Sequence, residues 1–304
     1  MRMDANERAA LSLMGLSTGD AFGEQFFRFV AQEERLITTR TAPPGPWAYT
    51  DDTEMALAVV AMLRRLGGIE QDRLALDFAQ GYDPSRGYGP AMHRVLGALG
   101  AGQPWRDVTR REFSGQGSWG NGAAMRVGPL GAYFAGDLDA VVEQARLSAE
   151  VTHAHPEAIA GAIAVAVAAS LAWTGREAHS LPGRAEFLER LLPFVPESDV
   201  RSRLRKARDL PGDASVPFAV SVLGNGMGLS APDTVPFALW CAGERLDDFE
   251  GALWLALSGG GDRDTLCAIV GSIVVLVTGA ERIPASWLAA REPLPLETTR
   301  EGGG

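Results

Sequence analysis

Eleven segments of this chain have the residue types and the apolar spacing of α-helices. Most are rich in Ala, Leu, Arg and Glu, which favour helix, and no run of alternating β-branched residues with hairpin turns predicts a sheet. No Pro-rich or Ser-rich linker divides the chain. We therefore predict an all-α fold, a single compact multi-helix domain over residues 1–293 followed by a disordered tail over 294–304. The segments are 8–16, 53–66, 73–79, 91–97, 138–151, 156–173, 184–192, 199–210, 235–242, 249–257 and 265–278.

The composition predicts a packed and acidic protein. Hydrophobic residues make up 46% of the 304 residues and charged residues 22%, which is enough apolar surface for a core. There are 38 acidic and 28 basic side chains, a formal charge of −10. This balance argues against a basic nucleic-acid groove and against a polybasic membrane patch, since both need clustered Lys and Arg.

Lysine and cysteine are both scarce, which excludes several kinds of site. Lys206 is the only lysine and lies in an Arg-rich stretch, so a Walker-type phosphate loop and Schiff-base chemistry are not expected. Cys241 and Cys267 are too few for a disulfide framework or a cysteine-rich zinc site. Each lies in an apolar run, where a buried thiol is expected.

The chain shows no pattern of a signal peptide or of a membrane span. Residues 1–9 carry four charges and no apolar stretch. The most apolar stretches, 158–173 and 269–280, are expected to be too short and too rich in Ala, Gly and Ser to span a bilayer. We expect a soluble, reduced, cytoplasmic protein.

Four polar, glycine-rich segments interrupt the helical pattern and are predicted to be loops. Loops on a rigid helical scaffold are where binding and catalytic residues are concentrated. The four segments are 15–23, 43–50, 115–122 and 259–264.

The first acidic cluster, residues 49–55 (YTDDTEM), stands directly before an apolar helical run. Asp51 can cap that helix, with Glu54 three residues on in a variant of the capping box. Only one of the adjacent residues Asp51 and Asp52 can occupy the cap position. The other carboxylate is then available for a function.

The second acidic cluster, residues 258–265 (SGGGDRDT), also precedes an apolar run. Three consecutive glycines allow a sharp turn, after which Asp262, Asp264 and Thr265 project oxygen atoms from one turn. Such hard oxygen donors suit Mg²⁺, Mn²⁺ or Ca²⁺ better than zinc. If packing joins the two acidic clusters, four carboxylates would repel one another unless cations neutralise them.

Five short segments together resemble the ADP-ribosylglycohydrolases, a family that includes the dinitrogenase reductase-activating glycohydrolase. Each motif is weak alone, but the five follow one another in the order typical of the family and extend over nearly the whole chain. They are residues 15–23 (GLSTGDAFG), 49–53 (YTDDT), 117–126 (GSWGNGAAMR), 152–156 (THAHP) and 260–265 (GGDRDT).

The resemblance implies an all-α fold of the ADP-ribosylglycohydrolase type that holds two Mg²⁺ ions, or Mn²⁺, at the mouth of a cleft. It implies that the loop at residues 117–119 holds the phosphates of the ligand by backbone N–H groups and a hydroxyl, and that His153 lines the ribose side. His155, before Pro156 at a helix start, is expected to be structural. By motif match, the metal ligands are Thr50, Asp51, Asp52, Asp262, Asp264 and Thr265, and the substrate-binding residues are Gly117, Ser118, Trp119, Gly120, Asn121 and His153.

Two positions depart from the family pattern. The last motif commonly reads Gly-Gly-Asp-Thr-Asp-Thr, but Arg263 takes the place of the first threonine. It is expected to point away from the metals or to reach toward an anionic ligand. Many relatives also have a glutamate at about the position of Phe27, whereas this chain has Glu24 three residues earlier.

The reaction implied by the resemblance is hydrolysis of the bond between the ribose anomeric carbon and an ADP-ribosylated group, through an oxocarbenium-like transition state. Glu24 or Asp52 is the candidate acid or base. Two alternatives stay open: a non-catalytic ADP-ribose-binding protein that has lost this carboxylate, and a metal-dependent hydrolase of another nucleotide substrate.

Overall fold

The computed structural model describes residues 3–295, which form sixteen α-helices and no strand, only two isolated β-bridges. The all-α prediction is therefore confirmed for the described chain. The helices are α1 (Ala5–Arg28), α2 (Glu33–Thr39), α3 (Asp51–Leu66), α4 (Gln71–Gly81), α5 (Pro90–Gly100), α6 (Trp105–Gly115), α7 (Gly128–Tyr133), α8 (Leu138–Glu150), α9 (Pro156–Glu177), α10 (Arg184–Leu191), α11 (Asp199–Asp209), α12 (Val216–Leu223), α13 (Ala231–Glu244), α14 (Phe249–Ser258), α15 (Arg263–Thr278) and α16 (Ala285–Ala290).

All eleven predicted helical segments lie on observed helices, several of which are longer than predicted. The helices that sequence reasoning missed are α2, α6, α7, α12 and α16, which have between 6 and 11 residues. Short segments give few turns from which to recognise a helical period, although α10, with only 8 residues, was predicted. They are ordered by packing against the longer helices rather than by their own pattern.

The glycine-rich segment 15–23 is not a loop, and that prediction was wrong. It is the middle of the 24-residue helix α1, and the whole segment is buried. A Cβ on Gly19 would lie only 2.1 Å from the carbonyl oxygen of Cys267 on α15, and one on Gly15 would lie 2.3 Å from the carbonyl oxygen of Gly271. The glycines therefore serve close contact between α1 and α15, not a turn.

Helix α9 passes through the interior of the fold. It has 22 residues and is long and apolar enough to cross a membrane by composition alone, so the expectation that this stretch is too short was wrong. In the fold, 83% of its most apolar window is buried against other helices. Burial in the protein accounts for its apolar character, and both Cys241 and Cys267 are buried free thiols as expected.

The segment before the first acidic cluster is held by the C-terminal part of the chain. The Trp47 amide donates to the Ala290 carbonyl at 2.7 Å, and the Glu292 amide donates to the Trp47 carbonyl at 2.9 Å. Leu294 is buried. Most of the predicted tail, residues 296–304, lies outside the described residues.

Candidate functional site

A cavity of about 480 Å³ opens between the N-termini of α3 and α15. Its volume lies in the range that binds small molecules and cofactors. Both acidic clusters reach it, although about 200 residues separate them in sequence. Site residues that line it are Asp51, Asp52, Ser118, Trp119, Gly120, Asn121, His153, Asp262, Asp264 and Thr265.

The residue that caps α3 is Thr50, not Asp51, so the capping role considered for Asp51 was wrong. The Thr50 hydroxyl accepts from the backbone N–H of Asp52 at 3.3 Å, and its backbone is extended. The short threonine side chain reaches the first-turn amides, which leaves both aspartates free of this role. Asp51 and Asp52 then project from the first turn of the helix.

Asp20 on α1 holds the first residues of α3 in place through hydrogen bonds. Its carboxylate accepts from the backbone N–H and the hydroxyl of both Thr50 and Thr53, at distances between 2.5 and 3.2 Å. Burial raises its pKa to about 7, and the bond from Thr53 opposes that rise. Sequence reasoning gave this residue no role. A lone aspartate between the close-packed glycines of α1 was the signal that could have indicated one.

The second acidic cluster folds into a tight turn that begins α15. Gly260 and Gly261 have φ of 68° and 66°, a region that favours glycine, and Asp262 follows them at the cap position without a side-chain capping bond. The Asp262 carboxylate instead accepts from the Asn121 amide at 2.6 Å. The turn thus directs Asp262 toward the loop that carries Asn121.

Arg263 points away from the cavity, which is the first of its two expected orientations. Its guanidinium forms an ion pair with Glu33 on α2 and lies over the Phe27 ring at 5.7 Å. Phe27 is thus an aromatic ring packed against an arginine and supplies no carboxylate.

The two acidic clusters lie next to each other in the fold, which their positions in the sequence alone could not show. The Thr265 hydroxyl donates to Asp52 Oδ2 at 3.4 Å. Burial raises the pKa of Asp51, Asp52 and Asp262 well above the ordinary carboxyl value, and the charges of neighbouring aspartates, Asp264 among them, raise it further. Burial also raises the pKa of Asp264. Four carboxylates in one place thus resist simultaneous ionisation.

The donor set fits divalent cations that keep part of their solvent shell. Asp52 Oδ1 and Asp264 Oδ1 are buried and have no hydrogen-bond partner. Across residues 3–295, no three His, Cys, Asp or Glu side chains form a ready-made ligand group. Threonine hydroxyls and solvent or substrate oxygens would complete the coordination, which is how Mg²⁺ is commonly bound.

The loop at residues 117–122 forms the opposite wall of the cavity. Gly117 has a φ of 78°, and a Cβ there would lie 2.9 Å from the His155 backbone nitrogen. The Ser118 hydroxyl accepts from the Gly120 amide at 3.2 Å. His155 itself caps α9 by accepting from the Glu157 amide at 3.1 Å, which is the structural role expected of it.

His153 is buried beneath this loop and lines the cavity. Its Nδ1 is 2.8 Å from the Thr152 hydroxyl. Burial, followed by the charge of Arg126, lowers its pKa to about 3, so the imidazole is neutral at physiological pH. A neutral ring can both donate and accept a hydrogen bond.

Glu24 is half-buried on α1 and is not among the residues that line the cavity. Its Oε1 lies 3.7 Å from Arg28 Nε. Burial raises its pKa, and the charge of Asp264 adds to that effect, so it lies within electrostatic reach of the second acidic cluster. Of the two candidate acid or base groups, Asp52 is the one that faces the cleft.

Comparisons with known proteins agree with this architecture. The chain is 35% identical over 269 residues to the ADP-ribosylhydrolase ARH3 of Homo sapiens, a match that covers 79% of this chain and 73% of the relative. It is 32% identical over 250 residues to the uncharacterized protein YegU of Escherichia coli, which covers 77% and 73% of the two chains. A solved structure, described as an ADP-ribosylglycohydrolase-related protein complex, superposes with a TM-score of 0.65 at 27% identity and covers 95% of this chain and 93% of its own.

The five motifs and the all-α fold agree with these similarities. The family model described as ADP-ribosylglycohydrolase matches residues 1–301, nearly the full length. This chain therefore belongs to the ADP-ribosylglycohydrolase family.

Proposed function

We propose that this protein is a metal-dependent ADP-ribosylhydrolase, which cleaves the bond between the ribose anomeric carbon and the group that carries ADP-ribose. One observation carries the proposal. Asp51 and Asp52 from one acidic cluster and Asp262 and Asp264 from the other line the same cavity, and Asp52 and Asp264 each have one buried carboxylate oxygen with no hydrogen-bond partner. Family membership and the similarity to ADP-ribosylhydrolase ARH3 support the same reaction.

Six residues would hold two divalent cations, Mg²⁺ or Mn²⁺: Thr50, Asp51, Asp52, Asp262, Asp264 and Thr265. When bound, such ions supply positive charge that orients ribose hydroxyls and lowers the pKa of a coordinated water. They also offset the carboxylate charge, so that an acidic protein can bind a pyrophosphate.

The remaining residues would bind and orient the ligand. The loop at residues 117–119 would hold the phosphates through the Ser118 hydroxyl, since the Gly117 and Gly120 amides already donate to the Glu112 carbonyl and the Ser118 hydroxyl. Trp119, 37% exposed, would offer a ring face at the cavity edge. Neutral His153 would contact the ribose, where an imidazolium would be repelled by nearby cations. Asn121 would hold Asp262 in place through their 2.6 Å hydrogen bond.

Asp52 is the carboxylate that we assign as the base. Its Oδ2 is occupied by the Thr265 hydroxyl, whereas Oδ1 is buried and free. Oδ1 would accept a proton from water as the water oxygen bonds to the anomeric carbon and the glycosyl bond breaks, and this proton would then pass to the leaving group. Glu24 could act only if α1 or the neighbouring segment moved it toward the cleft.

This position of Glu24 favours a second candidate function, a non-catalytic ADP-ribose-binding protein. Both functions predict ADP-ribose binding, and only hydrolysis releases free ADP-ribose. The test is a panel of labelled proteins and esters that carry ADP-ribose on different groups, incubated with Mg²⁺ or with EDTA. We expect release in Mg²⁺ only.

The control is the double variant Asp262→Ala/Asp264→Ala, which should neither bind the cation nor release the label. Cation-dependent turnover by this variant would contradict the assignment of the second acidic cluster. Tight ADP-ribose binding by the wild type without release from any substrate would favour the binding protein.

A further inference from the structure

A fully buried arginine lies behind the site without a carboxylate partner. Arg126 has no exposed surface, and in the described part of the chain its guanidinium contacts carbonyl oxygens, a thioether and an aromatic ring only. An unpaired buried charge is costly to desolvate. The proposed reaction does not use this side chain, so its presence in the core needs another explanation.

The guanidinium joins four separate parts of the chain. Nη1 donates to the Gly122 carbonyl at 3.2 Å, and Nη2 donates to the Ser148 carbonyl at 2.7 Å. Nη1 also lies 3.5 Å from Met55 Sδ, and the Phe78 ring is 4.5 Å away in cation–π geometry. The planar fork of arginine can make these contacts together, which a lysine ammonium cannot.

Three of these contacts are made with segments that carry site residues. The methionine follows Asp52 by one turn of α3, and the glycine directly follows Asn121. The serine is on the last turn of α8, which leads into His153. One buried group therefore connects the first acidic cluster, the loop at 117–122 and the histidine.

The contact between the loop and the histidine is close. A Cβ on Gly122 would lie 2.8 Å from His153 Cε1, and one on Gly120 would lie 3.1 Å from His153 Nε2. The glycines thus pack directly on the imidazole. A shift of the Gly122 carbonyl would move the surface on which the ring rests.

We propose that Arg126 is a positioning residue of this site: its buried guanidinium fixes the glycine loop against His153 and so holds the imidazole toward the cleft in one orientation. The effect of Arg126 on catalysis rests on the proposed function. The contacts that Arg126 makes with the loop do not depend on that function.

The charge of Arg126 acts on the same ring. Burial is the larger cause of the low pKa of His153, and Arg126 is the charged group that lowers it further. Burial lowers the pKa of Arg126 itself to about 9, and Tyr88 is the titratable group that opposes this effect. The arginine therefore orients the histidine and adds to the effect of burial, which is the main reason that the ring is uncharged.

A double-mutant cycle on ADP-ribose binding tests the positioning role. Arg126→Lys keeps the charge and loses the fork, and His153→Gln removes the ring. We expect each single variant to bind ADP-ribose about tenfold more weakly than the wild type when the affinity is measured by calorimetry. The double variant should also lose about tenfold rather than a hundredfold, because both substitutions remove the same contact.

The matched control is Arg8→Lys. Arg8 likewise donates to backbone carbonyls, those of Met3, Ala132 and Tyr133, and lies near the Trp173 ring, but it is not among the residues lining the cavity. Its variant should change the affinity less than about twofold and combine additively with His153→Gln. Additive behaviour of Arg126→Lys with His153→Gln, or wild-type affinity of Arg126→Lys, would overturn the proposal.

A histidine titration by NMR gives a readout that does not depend on ligand. The chain has four histidines, and His153→Gln assigns the signal. We expect the His153 ring to show no titration from pH 5 to 8 in the wild type and to begin to protonate within that range in folded Arg126→Met. Absence of titration in that variant as well would contradict the electrostatic part of the role.

The two experiments separate the possible failures. If the wild type binds no ADP-ribose, the proposed function fails while the titration still judges Arg126. If the wild type binds ADP-ribose and the cycle shows no coupling, only the positioning role fails. If Arg126→Met does not fold, the Arg126→Lys cycle decides.

Discussion

Replacement of Asp264 by Asn should make the metal-free protein more stable at alkaline pH and abolish its stabilisation by Mg²⁺. Asp264 is partly buried, has one buried carboxylate oxygen without a partner, and raises the pKa of Asp51, Asp52 and Asp262. A near-isosteric amide removes one charge from the centre of this group. The variant should therefore be the more stable protein without the cation, and the wild type should be the more stable one with it.

The sign follows from the raised pKa values. A carboxyl whose pKa is higher in the folded protein binds protons more readily there than in the unfolded chain, so stability falls as pH rises from about 4 through the folded pKa. Asp20 gives the scale: its pKa rises from 3.8 to about 7, which corresponds to about 4 kcal/mol when the group is ionised. The charge of Asp264 is one of several causes of the raised pKa of Asp51, Asp52 and Asp262. Its removal should therefore increase the free energy of unfolding by about 1–2 kcal/mol at pH 8.

The assay is thermal unfolding at pH 4.5 and pH 8, with EDTA or with Mg²⁺. In EDTA at pH 8 the melting temperature of Asp264→Asn should exceed that of the wild type by about 2–4 °C, and the difference should shrink at pH 4.5. Mg²⁺ at about 100 times its Kd should stabilise the wild type by about 2.7 kcal/mol and leave the variant unchanged.

The control is Asp213→Asn, an exposed aspartate in the loop after α11, which should behave as the wild type in all four conditions. A lower melting temperature for Asp264→Asn in EDTA at pH 8, or an equal response of both proteins to Mg²⁺, would refute the reasoning.

Two further predictions concern stability. The pKa of buried His153 is lowered to about 3, whereas a histidine in the unfolded chain has a pKa of about 6.5. The unfolded chain therefore binds a proton more readily, so the free energy of unfolding falls as the pH drops below about 6.5. Between pH 6.5 and 5 the wild type should lose about 2 kcal/mol more than His153→Gln in urea unfolding with EDTA, and parallel curves would contradict this. Gly19→Ala should destabilise the fold by about 1–3 kcal/mol, since its Cβ would lie 2.1 Å from the Cys267 carbonyl oxygen. Gly97→Ala, on an open helix face with nothing within 4 Å, should instead stabilise by up to about 1 kcal/mol, and equal effects of the two would show that close helix contact is not the cause.

The helical class was predictable because helix-forming residues and apolar spacing are local properties. Segment 15–23 shows where local reasoning fails: glycine is compatible with a turn and with close helix packing, and only the neighbouring helix decides between them. The cap of α3 shows the same limit at smaller scale. Threonine and aspartate are both good caps, and the contact of Thr50 with Asp20 selects the threonine.

Ten of the site residues that the motifs predicted line the cavity, but the motifs did not predict how these residues are arranged. That Thr265 would contact Asp52 across the fold follows from helix packing, which no spacing in the sequence encodes. Asp20 and Arg126 were present in the quoted motifs and received no role, because both act from inside the fold on residues that face the cavity. Their signal is a polar or charged residue within an otherwise buried, small-residue segment.

Binding of Mn²⁺ to the metal-free protein, followed by electron paramagnetic resonance, tests most directly the claim that the two acidic clusters form one cation site. The wild type should bind two ions with the spectral broadening of a coupled pair, and Asp262→Ala/Asp264→Ala should lose both. Unchanged Mn²⁺ binding by that variant, or no binding by the wild type, would contradict the claim.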